Sequence, residues 1–394
     1  MNDVIVVGGG IVGLATGLNL AEQHRQRVTV LEAADQLASH QTGHNSGVIH
    51  SGLYYKPASL KAQLCRQGLD AMYRFCAEEG IAHRHCGKLV VAIHPSELPR
   101  LDTLAERGTA NGVPWKRLSA AELKEYEPEV TGIAGLWVES TGTVSYPVVA
   151  QAMARRIERA GGEVRTGHRV TGITRDGSTI VVETTKGALR AARLVNCAGL
   201  QCDRVTRMAG LDPGVRIVPF RGEYYTLRPD RAHLVKGLIY PVPDPNLPFL
   251  GVHFTRGIDD VVEAGPNAVL ALKREGYSWS DISLRDMADW AAFPGFWKMA
   301  RKQWRTGVGE VQRSLSRARF LKSLQGLLPS LTDADIRPGG SGVRAQAVDR
   351  DGKLLDDFHL QESPGMVHVL NAPSPAATAS LAIGGVVAAR AMAV

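Results

Sequence analysis

The sequence predicts an α/β protein of two parts: a doubly wound, Rossmann-like dinucleotide-binding domain and an inserted mixed-sheet α+β domain. Three observations predict it. Gly8-Gly9-Gly10-Ile11-Val12-Gly13 fits G-x-G-x-x-G, directly after the apolar run 4–7 and at the start of a helical pattern. An acid, Glu32, closes the next apolar run, 28–31. Strand and helix patterns of this kind then break off and resume twice, in a chain of 394 residues that exceeds one ordinary core.

Taken in order, 4–7 is continuously apolar, as a buried parallel strand requires. Residues 11–23 carry small and apolar side chains at helical spacing, and 28–31 is the second strand. A Gly- and His-rich loop covers 39–52, and 60–79 reads as a helix. The first excursion brings a strand at 87–93, a helix at 99–111, and sheet at 135–138 and 142–145. The opening domain resumes with a helix at 146–160 and strands at 164–167, 169–175, 179–185 and 192–197, ending in Ala198-Gly199. A second excursion has strands at 223–228, 249–255 and 268–271, then basic helices. Two strands and a closing helix at 378–391 return to the first domain. The expected partition is 1–80, 146–214 and 337–394 for the dinucleotide domain, and 81–145 and 215–336 for the substrate domain. A basic aromatic helical segment is expected at 286–325.

The glycine turn has a physical logic. Gly8 permits the tight turn, Gly10 lets backbone approach a pyrophosphate, and Gly13 lets helix and strand pack closely. Ile11 and Val12 then offer the first helical N–H groups, and the helix dipole favours the phosphates. Glu32, followed by Ala33, lies where a carboxylate takes the ribose hydroxyls, and its charge would repel the 2′-phosphate of NADP. The motif does not separate NAD from FAD.

Composition narrows the classes. Five cysteines (Cys65, Cys76, Cys86, Cys197, Cys202) with no C-x-x-C pair argue against zinc and iron–sulfur sites and fit a reducing compartment, so no metal is expected. The first strand begins too near Met1 for a signal peptide, and no apolar stretch is long enough to span a bilayer, so a cytoplasmic protein is expected. The net charge of +7 resides in 296–322, where eight basic residues face only Glu310. Trp290, Phe293, Phe296, Trp297, Met299 and Trp304 lie beside these cations. Cations and tryptophans on an amphipathic helix describe an interfacial segment, so 290–322 is expected to touch the inner face of the cell membrane. Grouped aromatics suit a lipid face better than a phosphate track, and nucleic acid is not the expected partner.

Longer motifs carry a resemblance. The run His40-Gln41-Thr42-Gly43-His44-Asn45-Ser46-Gly47-Val48-Ile49-His50-Ser51-Gly52 continues into Tyr54-Tyr55-Lys56-Pro57 and Ser59-Leu60-Lys61-Ala62. With Phe220-Arg221-Gly222-Glu223-Tyr224-Tyr225, Tyr240-Pro241-Val242-Pro243, Gly251-Val252-His253-Phe254-Thr255, Gly342-x-Arg344 and 371–378, it resembles the L-2-hydroxyglutarate dehydrogenase/oxidase family of the D-amino-acid-oxidase-like (DAO) superfamily. The resemblance implies FAD and a glutathione-reductase-type variant of the dinucleotide fold. It implies oxidation of L-2-hydroxyglutarate to 2-oxoglutarate, with electrons passed to a membrane quinone pool or a similar acceptor. It places Thr42, Asn45, Ser46, Val170, Ala198, Gly199, Gly342, Pro375, Ala376 and Thr378 around FAD. Two other readings stay open: an FAD amine oxidase of the glycine or sarcosine type, and a flavoprotein that binds RNA or protein.

Oxidising a 2-hydroxy acid requires a base for the hydroxyl proton, a hydride acceptor facing C2 (flavin N5), and cations for the carboxylates. Histidine suits the base, and His253 and His50 are the two alternatives. Arg344 is the expected carboxylate clamp, because its fork binds bidentately. Lys56, Lys61 and Arg221 are alternatives for a second cation, and Tyr55 and Tyr240 are possible hydrogen-bond donors.

Overall fold

The structure, a computed structural model, describes residues 2–244 and 251–394. The strand Asn2–Val7 is buried over its last four residues and lies parallel to Val28–Leu31 on one side and to Gly187–Asn196 on the other. Glu163–Arg165 extends this sheet beyond Val28–Leu31, and Met366–Asn371 extends it beyond 194–196, both parallel. An antiparallel meander of Val170–Asp176, Thr179–Thr184 and the first half of Gly187–Asn196 projects from the same sheet. The helices Ile11–Glu22, Leu60–Glu78, Tyr146–Arg159 and Ser380–Ala393 share one core with it. A Cβ at Gly384 would stand 2.5 Å from the backbone of Ala15, so the closing helix crosses the first at a distance only glycine permits.

The second sheet has nine strands and is mixed. Its two chain segments join where Lys88–Ala92 pairs in parallel with Leu238–Pro241. Glu127 fastens the same junction: its buried carboxylate accepts from the N–H groups of Lys236 at 2.8 Å and Gly237 at 2.7 Å. One face of this sheet packs on the helix Arg317–Gln325 through Leu89, Val91, Ile239 and Phe254. On the other face Val90, Ala92 and Tyr240 pack with Val48 and Leu53 of the first domain. Alternation of side chains thus sends Lys88, Val90 and Ala92 toward the dinucleotide domain.

Several expectations shift. The strand expected at 223–228 is Val215–Leu227, paired along almost its whole length with Ile336–Asp349. Residues 337–349 therefore belong to the second sheet, and the chain rejoins the first at His359–Ser363, which pairs antiparallel with Met366–Asn371. Pro338, Gly339 and Gly340 lie within this strand, held extended by the long antiparallel partner. Residues 249 and 250 of the strand expected at 249–255 lie outside the described residues, and the described strand is His253–Arg256. The closing helix begins at Ser380 rather than Thr378, after a turn at 375–379.

Candidate active site

The glycine turn is shaped by contacts that exclude any side chain. A Cβ at Gly13 would lie 1.9 Å from the Gly8 carbonyl oxygen, and one at Gly8 would lie 2.4 Å from the Cys197 oxygen. Gly8 also sits at φ +114°, a conformation that L side chains rarely adopt. Glu32 ties the turn together, accepting from Gly9 N–H and from Ala34 N–H, each at 2.8 Å. A carboxylate has four acceptor positions, so two remain for ribose hydroxyls. The helix Ile11–Glu22 starts from Gly10 with no acid in its first turn, which leaves its positive end uncompensated toward a phosphate. Thr42 Oγ1 accepts from Ile11 N–H at 3.0 Å and so brings the 39–47 loop over this end. Val12 lies in the same first turn, Ala33 follows Glu32, and Val170 begins the antiparallel meander.

The 39–52 loop then leads to the second sheet. Asn45 stiffens it, donating to the carbonyls of Gln41 and Thr42 and accepting from Gly47 N–H. A Cβ at Gly342 would come within 2.3 Å of the His44 oxygen, so loop and strand touch at a glycine. Ser46 lies half-buried in this loop. Ala198 N–H donates to Asn196 Oδ1, and Gly199 turns the chain at φ +50°. At the other end, Thr378 Oγ1 accepts from His50 N–H at 3.0 Å and contacts the Tyr146 hydroxyl at 3.0 Å, which donates to the Val48 carbonyl. The 375–379 turn with Pro375 and Ala376 is thereby fixed beside His50.

Across from His50 the second sheet presents His253, Tyr240, Arg344 and Lys88. The His253 ring stacks on Tyr240 with centroids 4.0 Å apart. Its Nδ1 lies 3.0 Å from the Gly251 carbonyl, which can only accept, so Nδ1 carries the proton and Nε2 keeps its lone pair. Burial pushes the pKa of His253 down to about 4, and the cations Arg344 and Lys88 push it the same way. Burial likewise lowers His50 to about 3, aided by Lys88, His253 and Lys61. Both rings are therefore neutral near pH 7. His50 Nδ1 and the Tyr54 hydroxyl are buried with no hydrogen-bond partner among the described residues.

The alternatives for a second cation separate clearly. Lys56 is exposed on a turn. Lys61 lies over the Tyr55 ring, and its ammonium donates to the Asp356 carbonyl at 3.1 Å. Arg221 corrects the expectation placed on it. In register, Phe220 faces Arg344 and Arg221 faces Val343, so the two arginines project from opposite faces of the ribbon. Arg221 is instead paired with Glu223 at 2.8 Å, bonded to the Ser278 carbonyl and stacked on Trp279. Lys88, which the sequence did not single out, is a buried lysine on this face, over the Tyr54 ring. Its signal was a lysine in phase with Val90 and Ala92 at the head of an otherwise apolar strand.

The basic aromatic segment divides into two. It forms the helices Leu284–Ala291, Pro294–Ser314 and Arg317–Gln325. Trp290, Phe293, Phe296 and Met299 pack against Val218 and Val348, which corrects their grouping as an exposed face. Trp297 and Trp304 remain 60% and 58% exposed, with Arg301 between them at helical spacing and Val308 beyond. Among the described residues no helix is long and apolar enough to cross a membrane.

Comparison with known proteins agrees with this geometry. Residues 3–390 match the DAO family, FAD dependent oxidoreductase. The chain is 50% identical over 389 residues to an L-2-hydroxyglutarate dehydrogenase of Indibacter alkaliphilus, covering 98% of this chain and 97% of that one. It is 45% identical to the Escherichia coli K12 L-2-hydroxyglutarate dehydrogenase (98% and 92% covered) and 47% identical to the human mitochondrial one (98% and 88%). In structure it resembles an L-α-glycerophosphate oxidase of Mycoplasma pneumoniae with FAD bound, at a TM-score of 0.81 and 23% identity, covering 100% and 95% of the two chains. A glycine oxidase of Geobacillus kaustophilus aligns at 0.75 and 21%, with the same coverage. These two likenesses speak for the fold alone. The cofactor is FAD, and the side-chain-free turn, the uncompensated helix end and the two remaining acceptor positions of Glu32 fit its adenine dinucleotide half.

Proposed function

Since the chain belongs to the DAO family of FAD-dependent oxidoreductases and to its L-2-hydroxyglutarate dehydrogenase branch, we propose that it oxidises L-2-hydroxyglutarate to 2-oxoglutarate. One observation carries the reading at the level of the site. A neutral histidine of fixed tautomer, His253, lies within electrostatic reach of Arg344 on the face that the second sheet turns toward the dinucleotide domain. Bound FAD supplies the two-electron acceptor.

In this reading Arg344 holds the C1 carboxylate through its planar fork and so sets the angle of C2. His253 Nε2 takes the hydroxyl proton. Its low pKa in the free protein follows first from burial and then from two cations. A dianionic substrate offsets those cations, so the proton affinity of His253 rises when the substrate binds, where a base is needed. His50 lines the opposite wall, fixed through its backbone by Thr378, and its Nδ1 serves as a positioning contact. Tyr240 keeps the His253 ring in plane by stacking.

The test is anaerobic addition of hydroxy and amino acids to the yellow protein. L-2-hydroxyglutarate should bleach the flavin, and D-2-hydroxyglutarate and glycine should not. Bleaching by glycine alone would transfer the assignment to an amine oxidase.

Electrons are proposed to leave to a membrane quinone or a similar acceptor. Trp297, Trp304 and Val308, flanked by Lys298, Arg301 and Arg305, support contact with an anionic bilayer surface. The expected location is the inner face of the cell membrane, tested by flotation with anionic vesicles.

A further inference from the structure

We propose that Lys88 recognises the distal carboxylate of the substrate, making the site selective for dicarboxylic 2-hydroxy acids; this rests on the 2-hydroxy acid reading above. Lys88 is 1% exposed, yet among the described residues its ammonium has no carboxylate or carbonyl partner. Its surroundings are rings: Nζ lies 4.2 Å from the Tyr54 centroid and 5.2 Å from that of Tyr240. Cation–π contact offsets only part of the loss of water around a buried ammonium. An anionic ligand would supply the counter-ion that the described residues do not.

The surroundings fit a carboxylate in particular. The Tyr54 hydroxyl is buried without a partner beside the ring that Lys88 covers, so a charged donor and a neutral donor stand ready for two oxygens. Lys88 and Arg344 both act electrostatically on His253, so both cations lie within reach of the base. A substrate lying between them presents one carboxylate to each and its C2 hydroxyl to the ring. The other basic residues near the site are already engaged or exposed, as Lys61, Arg221 and Lys56 show. Burial also lowers the pKa of Lys88, to about 7, as expected for an ammonium without its counter-ion.

Glutarate tests this without turnover, because it has both carboxylates and no hydroxyl to oxidise. The oxidised holoprotein is titrated with glutarate and with butyrate, following the flavin spectrum, in wild type, Lys88→Met and Lys88→Arg. Wild type should bind glutarate more tightly than butyrate. Lys88→Met should weaken glutarate by roughly 30-fold or more and leave butyrate within about threefold, with Lys88→Arg between. The thermal midpoint of Lys88→Met should hold or rise, because a buried unpaired charge has gone. Unchanged glutarate binding in Lys88→Met, equal weakening of both acids, or a wild type with no preference for glutarate overturns the assignment. If L-2-hydroxyglutarate fails to bleach wild type while the glutarate result stands, the reaction is wrong and the diacid pocket is right. If bleaching occurs and glutarate ignores Lys88, Lys88 alone is misassigned.

Discussion

The two halves of the site are built in opposite ways. Around the glycine turn, polar groups find partners inside the protein: Glu32 takes two backbone N–H groups, Thr42 takes the Ile11 N–H, and Asn45 closes its own loop. Across from it, the second sheet covers the Tyr54 hydroxyl and His50 Nδ1, which have no partner among the described residues, and holds the Lys88 ammonium against the Tyr54 and Tyr240 rings. The first half recognises its ligand mainly by shape and backbone. The second holds charges and lone pairs that only a ligand completes. Unsatisfied buried groups are destabilising, so a pair of them beside a buried lysine is expected where a ligand completes the contacts.

Four changes would break or sharpen this contrast. Gly13→Ala should have the largest effect, because the new Cβ would overlap the Gly8 carbonyl; purified protein should be colourless and take up no FAD, as read from its absorbance. A yellow Gly13→Ala protein would mean that the cradle is far more pliable than its contacts suggest. His253→Gln should remain yellow but lower the anaerobic flavin-reduction rate by about 10²–10⁴, the range of a lost acid–base group. An equal loss in His50→Gln alone, with His253→Gln active, would exchange the two roles.

Arg221→Met should destabilise the fold by roughly 3 kcal/mol, since it leaves Glu223 without its ion pair, while kcat/KM changes little. A chemical denaturation curve beside a steady-state assay separates these, and a large loss of kcat/KM with full stability would return Arg221 to the substrate. Trp304→Ser should have the smallest effect. Vesicle binding should fall several-fold with catalysis of soluble substrate unchanged, and identical flotation would remove this face from the membrane.

How much could be read in advance follows the same division. The cradle is encoded within one stretch: Gly8, Gly10, Gly13 and Glu32 are spaced by a strand, a helix and a strand, and local geometry leaves them little freedom. Arg344 was singled out with the glycine two residues before it, and the closeness of that glycine to His44 shows why glycine stands there. Lys88 showed in sequence only as a lysine heading an apolar strand, because the rings that cover it, Tyr54 and Tyr240, come from a loop of the other domain and from a distant strand. Arg221 misled for a related reason. Its composition suits a carboxylate, but a one-residue difference in register against Arg344 turns it to the other face. The boundary expected at 336/337 fell short of the end of the second sheet, because the partner that carries the strand on to Asp349 lies more than a hundred residues earlier.

The parallel junction in the second sheet has a consequence for how the chain is made. Leu89 pairs with Ile239, 150 positions later, and the intervening chain includes much of the dinucleotide domain. On a ribosome adding about 5–20 residues per second, the 88–92 segment waits on the order of ten seconds for its neighbour to appear. During that interval its edge, Leu-Val-Val-Ala, is an open template for pairing with another chain. Lys88 is the one charge in this five-residue segment, and a lysine beside an open edge is a feature that disfavours pairing with another chain.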